Sequence, residues 1–88
     1  MKIYYGPHFL RSYKAIERRI KKAAVEKRIK LFRRNPFDPR LHTHSLHGKL
    51  KHIWSFSIDT HNRVLFEFLD ARREQVLFLD IGNHSLYQ

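Results

Sequence analysis

The chain has 88 residues, of which 42% are apolar and 14% aromatic, and it contains no cysteine. This composition suits one small domain with a real core, and it excludes disulfides and thiolate zinc sites. No apolar run approaches the roughly 20 residues that cross a bilayer, and the first residues lack a signal-peptide core. We therefore expect a single domain over residues 1–88, in the cytoplasm and without a membrane partner.

The net charge of +10 lies in the first half of the chain. Residues 1–40 hold 13 Lys/Arg against 3 Asp/Glu, whereas residues 41–88 hold 5 against 5. Such a basic half indicates a polyanion or an acidic protein as a partner. The alternative is a solvated basic helix surface with no special partner.

The first half of the chain predicts a strand followed by helix. Residues 2–5 (KIYY) read as a strand, and Gly6-Pro7 opens a helix because Pro is tolerated in the first helical turn. An apolar stripe at helical spacing follows, formed by Phe9, Tyr13, Ile16 and Ile20. The five-residue step from Ile20 to Val25 shifts this stripe, so either one helix rotates its face or a helical hairpin turns near residues 21–24. Asn35-Pro36 ends the helical region.

The second half predicts three strands. Residues 54–58 and 63–68 alternate between apolar and polar side chains, and residues 76–81 are almost continuously apolar. Short loops join the three, which indicates antiparallel neighbours. Because the helices precede these strands, we expect an α+β domain with the helices on one face of a small antiparallel sheet. The other face is then left for function.

The register of the first predicted hairpin decides which polar side chains reach that helix-free face. We expect Ile58 opposite Val64, with a three-residue loop in which Asn62 takes the left-handed conformation. Three polar side chains then point away from the helices: Ser55, Ser57 and Arg63. Arg63 could instead serve only as an ion-pair partner of Asp59 or Glu67.

Several side chains at the ends of the predicted strands suit phosphodiester cleavage without a metal. His84 and Tyr87 follow the last strand, and His44 precedes the second. One imidazole can accept the ribose 2′-OH proton, another group can protonate the leaving 5′-oxygen, and a guanidinium can stabilise the phosphate charge. Lys49 and Lys51 flank this cleft and could hold RNA phosphates, or be solvated loop charges.

The histidine cluster HTHSLH at residues 42–47 does not have the spacing of a metal motif. Its histidines lack the i, i+4 pairing of HExxH, and no carboxylate follows them closely. We expect no metal and no cofactor, with His42 and His47 at the surface.

Five segments resemble the RelE/ParE superfamily of type II toxins, especially the mRNA interferases RelE, YoeB and YafQ. They are NPFDP at 35–39, H-x-L-x-G-x-L at 44–50, WSFSI at 54–58, RVLF at 63–66 and D-I-G-x-H-x-x-Y at 80–87. The resemblance extends from about Phe9 to Tyr87. It implies a β-α-α-β-β-β domain with a helical hairpin, and an endoribonuclease that cuts mRNA in the ribosomal A site without a metal. It also implies a cognate antitoxin protein as a partner, beside the ribosome and mRNA.

The resemblance also implies roles for individual residues. Arg63 matches the phosphate-stabilising arginine, and His44 matches the position of a general base. His84 matches a histidine that acts as acid or base, and Tyr87 matches an aromatic residue that orients the substrate. His61 falls near an acidic residue of YafQ-like toxins.

Ser57 departs from this pattern, because these toxins carry a histidine, lysine or arginine there. Two other readings therefore stand beside the interferase. One is a ParE-like inhibitor of DNA gyrase, which shares the fold without the nuclease site. The other is a non-catalytic module that binds RNA or an antitoxin.

Overall fold

The computed structural model describes residues 1–83, which form two helices and a five-stranded sheet. The elements are β1 (Lys2–Tyr5), α1 (Pro7–Ile16), α2 (Lys22–Arg34), β2 (His44–Ser45), β3 (Trp54–Ser57), β4 (Arg63–Phe68) and β5 (Gln75–Gly82). Single 3-10 turns lie at Pro39–Leu41 and Gly48–Leu50. Within this part of the chain, neither helix is long and apolar enough to cross a membrane.

The helical region is a hairpin of two helices rather than one long helix. α1 ends at Ile16 and α2 begins at Lys22, although no glycine or proline marks the turn. Ile20 lies in this connection and is buried in the core. The five-residue step in the apolar stripe therefore reflects a turn of the chain and not a rotated helix face.

The sheet has the strand order β1-β5-β4-β3-β2. Strands β2 to β5 pair antiparallel, whereas β1 pairs parallel with β5, so the sheet is mixed. The predicted α+β class and β-α-α-β-β-β order are confirmed, and the two-residue β2 is an addition at the sheet edge. The prediction of an antiparallel sheet is wrong for β1, which pairs parallel with β5. Gly6 permits the parallel pairing, because a Cβ there would lie 2.9 Å from the carbonyl oxygen of Phe78.

Both helices pack on the same face of the sheet through aromatic rings. The ring of Phe32 from α2 stacks on Phe56 with centroids 4.4 Å apart, and meets Phe66 edge-on at 4.8 Å. Phe9 from α1 lies 5.5 Å from Phe78. All five rings are fully or almost fully buried, so this aromatic layer fixes the position of α2 over β3 and β4.

The predicted register of the β3–β4 hairpin is wrong by two residues. Phe56 lies opposite Val64, and Ser57 lies opposite Arg63. Asn62 also does not adopt the predicted left-handed conformation. Its carbonyl accepts the N–H of Ile58 instead, which closes a wider loop. Because side chains alternate with a period of two, this error leaves every residue on its predicted face.

Candidate functional site

The helix-free face of the sheet is open only in part. Ser55 is fully buried and Leu65 is 7% exposed, although both point away from the helices. Arg63 is half-buried at the end of the face where β4 begins, and His44 is exposed at its β2 edge. A substrate can therefore reach this face at its β3–β4 loop end and at its β2 edge.

A cavity of about 650 Å³ lies at the β3–β4 loop end of the sheet. Its walls come from Ser57 and Arg63 on the sheet, Arg28 on α2, and Arg40 and His42 in the connector. Among the described residues, three guanidinium groups and an imidazole thus line one space, with Asp59 as the one acidic residue in the same lining. Such a lining suits an anion, since arginine donates to phosphate or carboxylate through a planar, bidentate group.

Hydrogen bonds hold two of these arginines in place. The Arg28 Nη1 donates to the carbonyl oxygen of Arg40 at 2.7 Å. Arg40 in turn donates from Nε and Nη2 to the Asp38 carboxylate, at 3.0 and 2.9 Å. The Arg40 hydrogen bonds lower the pKa of Asp38 to about 2. Asp38 therefore stays ionised and keeps the Arg40 guanidinium oriented at neutral pH.

The lowered pKa of Asp38 predicts a specific pH dependence of stability. A carboxyl whose folded pKa lies below its unfolded pKa stabilises the fold above the unfolded value, and this contribution is lost as pH falls through the folded value. We expect wild type to lose this contribution between about pH 4 and pH 2, whereas Asp38→Asn has already lost it. The melting temperatures of wild type and Asp38→Asn should therefore converge as pH falls from 5 to 2. A constant difference between them over this range would contradict the lowered pKa of Asp38.

A hydrogen bond sets which ring nitrogen of His44 carries the proton when the imidazole is neutral. The Nδ1 of His44 lies 2.8 Å from the carbonyl oxygen of His42. A carbonyl only accepts, so Nδ1 carries the proton and the Nε2 of the neutral ring keeps a lone pair. His44 pairs with Ser55, two residues along β3 from the Ser57–Arg63 pair. Strand spacings put the Cα atoms of His44 and Arg63 roughly 12 Å apart on the same face.

His61 lies in the β3–β4 loop, which Asp59 organises. The Asp59 carboxylate accepts the N–H groups of His61 and Asn62 at 2.8 and 2.7 Å. Partial burial raises the pKa of Asp59, but these hydrogen bonds and that of the Asn62 amide outweigh it, so the net pKa is lowered. The His61 side chain is exposed and lines a depression beside Gly82 and Asn83, at the end of β5.

The remaining predicted site residues, Lys49, Lys51, His84 and Tyr87, are not grouped around Arg63 in the described part of the chain. Lys49 and Lys51 are exposed around the 3-10 turn at Gly48–Leu50. His84 and Tyr87 lie outside the described residues. Among residues 1–83, no three His, Asp or Glu side chains come together in a group that could hold a metal ion.

Sequence reasoning missed three residues of the arginine-lined cavity: Arg28, Arg40 and His42. His42 is exposed as predicted, but it lines this cavity beside Arg63. Arg28 and Arg40 line the same cavity as Ser57 and Arg63 only because α2 and the connector that follows it pack against the sheet. The excess of positive charge in residues 1–40 was the one sequence signal that pointed to them.

Comparison with solved structures places this chain in a known fold. A metal-bound toxin from Helicobacter pylori superposes with a TM-score of 0.80 over 100% of this chain and 99% of its own, at 16% identity. YafQ from Escherichia coli superposes with a TM-score of 0.78 over 96% and 93% of the two chains, at 16% identity. A YoeB/ParE toxin from Agrobacterium tumefaciens gives 0.72 over 96% and 99%, at 18% identity. The chain thus has the fold of the RelE/ParE-superfamily toxins.

Sequence comparison adds nothing to this likeness. No family model matches the chain, and no curated protein sequence matches it. The fold implied by the five sequence segments is confirmed.

Proposed function

We propose that the protein is the toxin of a type II toxin–antitoxin system, an endoribonuclease that cleaves mRNA in the ribosomal A site and so inhibits translation. The fold supports this proposal, because the chain superposes on solved toxin structures over nearly the whole length of both chains. The observation that carries the proposal is the His44 hydrogen bond to the His42 carbonyl at 2.8 Å. It leaves the Nε2 lone pair of an exposed imidazole on the same sheet face as Arg63.

The proposed cleavage uses side chains of this chain and the 2′-hydroxyl of the RNA itself. His44 Nε2 removes the proton of the ribose 2′-OH, and the 2′-oxygen attacks the adjacent phosphorus. The bond from phosphorus to the 5′-oxygen breaks, leaving a 2′,3′-cyclic phosphate and a 5′-hydroxyl. Arg63 stabilises the negative charge that grows on the phosphate oxygens.

The leaving 5′-oxygen needs a proton, for which His84 and His61 are the proposed donors. His61 lies beside Gly82 and Asn83, and His84 is the next residue along the chain. Tyr87 is proposed to orient the substrate base by stacking, and Lys49 and Lys51 to hold flanking phosphates. Ser57 takes the place of a basic residue opposite Arg63, and the cavity offers Arg28, Arg40 and His42 around it.

An antitoxin is the proposed protein partner. The YafQ of Escherichia coli is seen in a complex with DinJ, a toxin–antitoxin complex, and this chain superposes on that YafQ with a TM-score of 0.76. The net charge of +10 would favour an acidic antitoxin. The proposed location of toxin, ribosome and antitoxin is the cytoplasm.

Substitution of His44 tests the proposed chemistry. We expect His44→Gln to slow cleavage of ribosome-bound mRNA by about 10²- to 10⁴-fold, as is typical for loss of a general base. Single-turnover rates on programmed ribosomes measure this. His47→Gln is the matched control, since His47 is also exposed and lines the same depression as His44, and it should keep the wild-type rate. Equal rates for wild type and both variants would remove His44 from the mechanism.

A further inference from the structure

The arginine-lined cavity continues into a second cavity along α2. The second cavity has a volume of about 730 Å³ and shares Arg28, Arg40 and Ile58 with the first. Beyond these shared residues it is lined by successive basic side chains of α2, which are Lys27, Lys30, Arg33 and Arg34. A basic track therefore runs from Arg63 on the sheet, past Arg28 and Arg40, to the end of α2.

We propose that this basic track, Arg63–Arg28–Arg40–Lys27–Lys30–Arg34, binds single-stranded RNA that extends from the cleavage site. This inference rests on the proposed function, because it takes the anion at Arg63 to be a phosphate of an RNA strand. An RNA strand bound at Arg63 carries a phosphate at every nucleotide. The phosphates next to the one at Arg63 are therefore best bound by further cations close by. Arg28 and Arg40, which the first cavity shares with the second, are placed to receive them.

The cations of α2 suit a continuous polyanion. Lys27, Lys30 and Arg34 follow each other at steps of about 4.5 and 6 Å along the helix axis. They are exposed, and within residues 1–83 their side chains make no hydrogen bond or ion pair. Their charges are thus available for phosphates, and each such contact releases counterions on binding.

The apolar lining of the second cavity also suits a nucleic acid strand. Leu31 from α2 lines it and is half-buried, and the almost fully buried Ile58, which follows β3, backs it. The exposed part of Leu31 can pack against ribose or base while the phosphates contact the cations. An acidic protein helix would use the same charges, but it would have no reason to continue into the cavity at Arg63.

RNA binding measured without cleavage tests the track. The probe is a fluorescent 12-nucleotide RNA with 2′-O-methyl groups, which lacks the attacking hydroxyl, and the readout is anisotropy from 0.05 to 0.4 M salt. We expect the triple variant Lys27→Ala/Lys30→Ala/Arg34→Ala to bind about 100-fold more weakly at 0.1 M salt. Its slope of log K against log salt should fall by about 2, since each lost phosphate contact removes roughly 0.7.

The control variant carries the same charge change at the same sequence spacing, on α1 and the turn that follows it. Arg11, Lys14 and Arg18 are exposed and make no hydrogen bond or ion pair within residues 1–83. Arg11→Ala/Lys14→Ala/Arg18→Ala should keep the wild-type slope. Equal losses in both triple variants would mean general electrostatic attraction and would overturn the track, as would wild-type binding by the α2 variant.

Two further outcomes separate this inference from its rivals. Polyglutamate that displaces the RNA as well as unlabelled RNA does, at equal charge concentration, would mark an acidic-protein surface and overturn the RNA track. Cleavage of ribosome-bound mRNA by the wild type distinguishes the track from the proposed function. If the wild type does not cleave while the α2 variant loses RNA binding, the proposed function fails and RNA binding by the track stands. If the wild type cleaves but the α2 variant binds RNA normally, the track alone is wrong.

Discussion

Arg63→Ala is expected to lower the rate of mRNA cleavage on the ribosome by about 10²- to 10³-fold, with a much smaller effect on mRNA binding. Arg63 is the guanidinium that the β3–β4 pairing places opposite Ser57 in the arginine-lined cavity. Removal of one hydrogen-bond donor that stabilises the charge of a transition state typically lowers the rate by this factor. Single-turnover cleavage at saturating enzyme measures the chemical step separately from binding.

Two variants sharpen this prediction. Arg63→Lys keeps the charge but loses the planar, bidentate donor, so we expect an intermediate rate. Arg72→Ala removes an exposed arginine from the β4–β5 turn and should cleave like wild type. Full activity of Arg63→Ala, in protein whose unfolding temperature matches wild type, would rule out Arg63 as the phosphate-stabilising group.

Phe32→Ala is expected to lower the free energy of unfolding by about 3 to 5 kcal/mol, the usual loss for a buried phenylalanine. Phe32 is fully buried and its ring contacts Phe56, Phe66 and Phe78. The free energy of unfolding of native domains is about 5 to 15 kcal/mol. A large share of it therefore depends on the Phe32 ring. Urea unfolding measures the change.

The control for the buried Phe32 is a phenylalanine that is exposed to solvent. Phe37 is 40% exposed, and we expect Phe37→Ala to lose less than half as much stability as Phe32→Ala. A loss below about 1 kcal/mol for Phe32→Ala would mean that the helices do not depend on the aromatic layer.

The fold could be predicted from the sequence because its signals are local. Alternation along the strands indicates which face of the sheet each side chain occupies. The shift of the apolar stripe indicates where a helix ends, and the shift at Ile20 corresponds to the connection between α1 and α2. The parallel pairing of β1 with β5 was not predicted. It joins segments about 70 residues apart, and it depends on the close approach at Gly6.

The candidate site could be predicted only where it lies on the strands. Arg63 and Ser57 were assigned to the right face despite the shifted register, because an error of two residues preserves alternation. The loop itself was wrong, since Asp59 holds it through side-chain hydrogen bonds in place of a left-handed Asn62. Arg28 and Arg40 were missed because no spacing links positions on α2 and in the connector to the end of β3.

The most direct test of the central claim is 5′-end mapping of cellular RNA after brief induction of wild type, Arg63→Ala and His44→Gln. The proposed function predicts new 5′-ends inside translated reading frames in the wild type, and few or none in the two variants. Growth arrest without such ends, equally strong in all three proteins, would contradict a ribosome-dependent nuclease. It would instead indicate a ParE-like inhibitor of DNA gyrase.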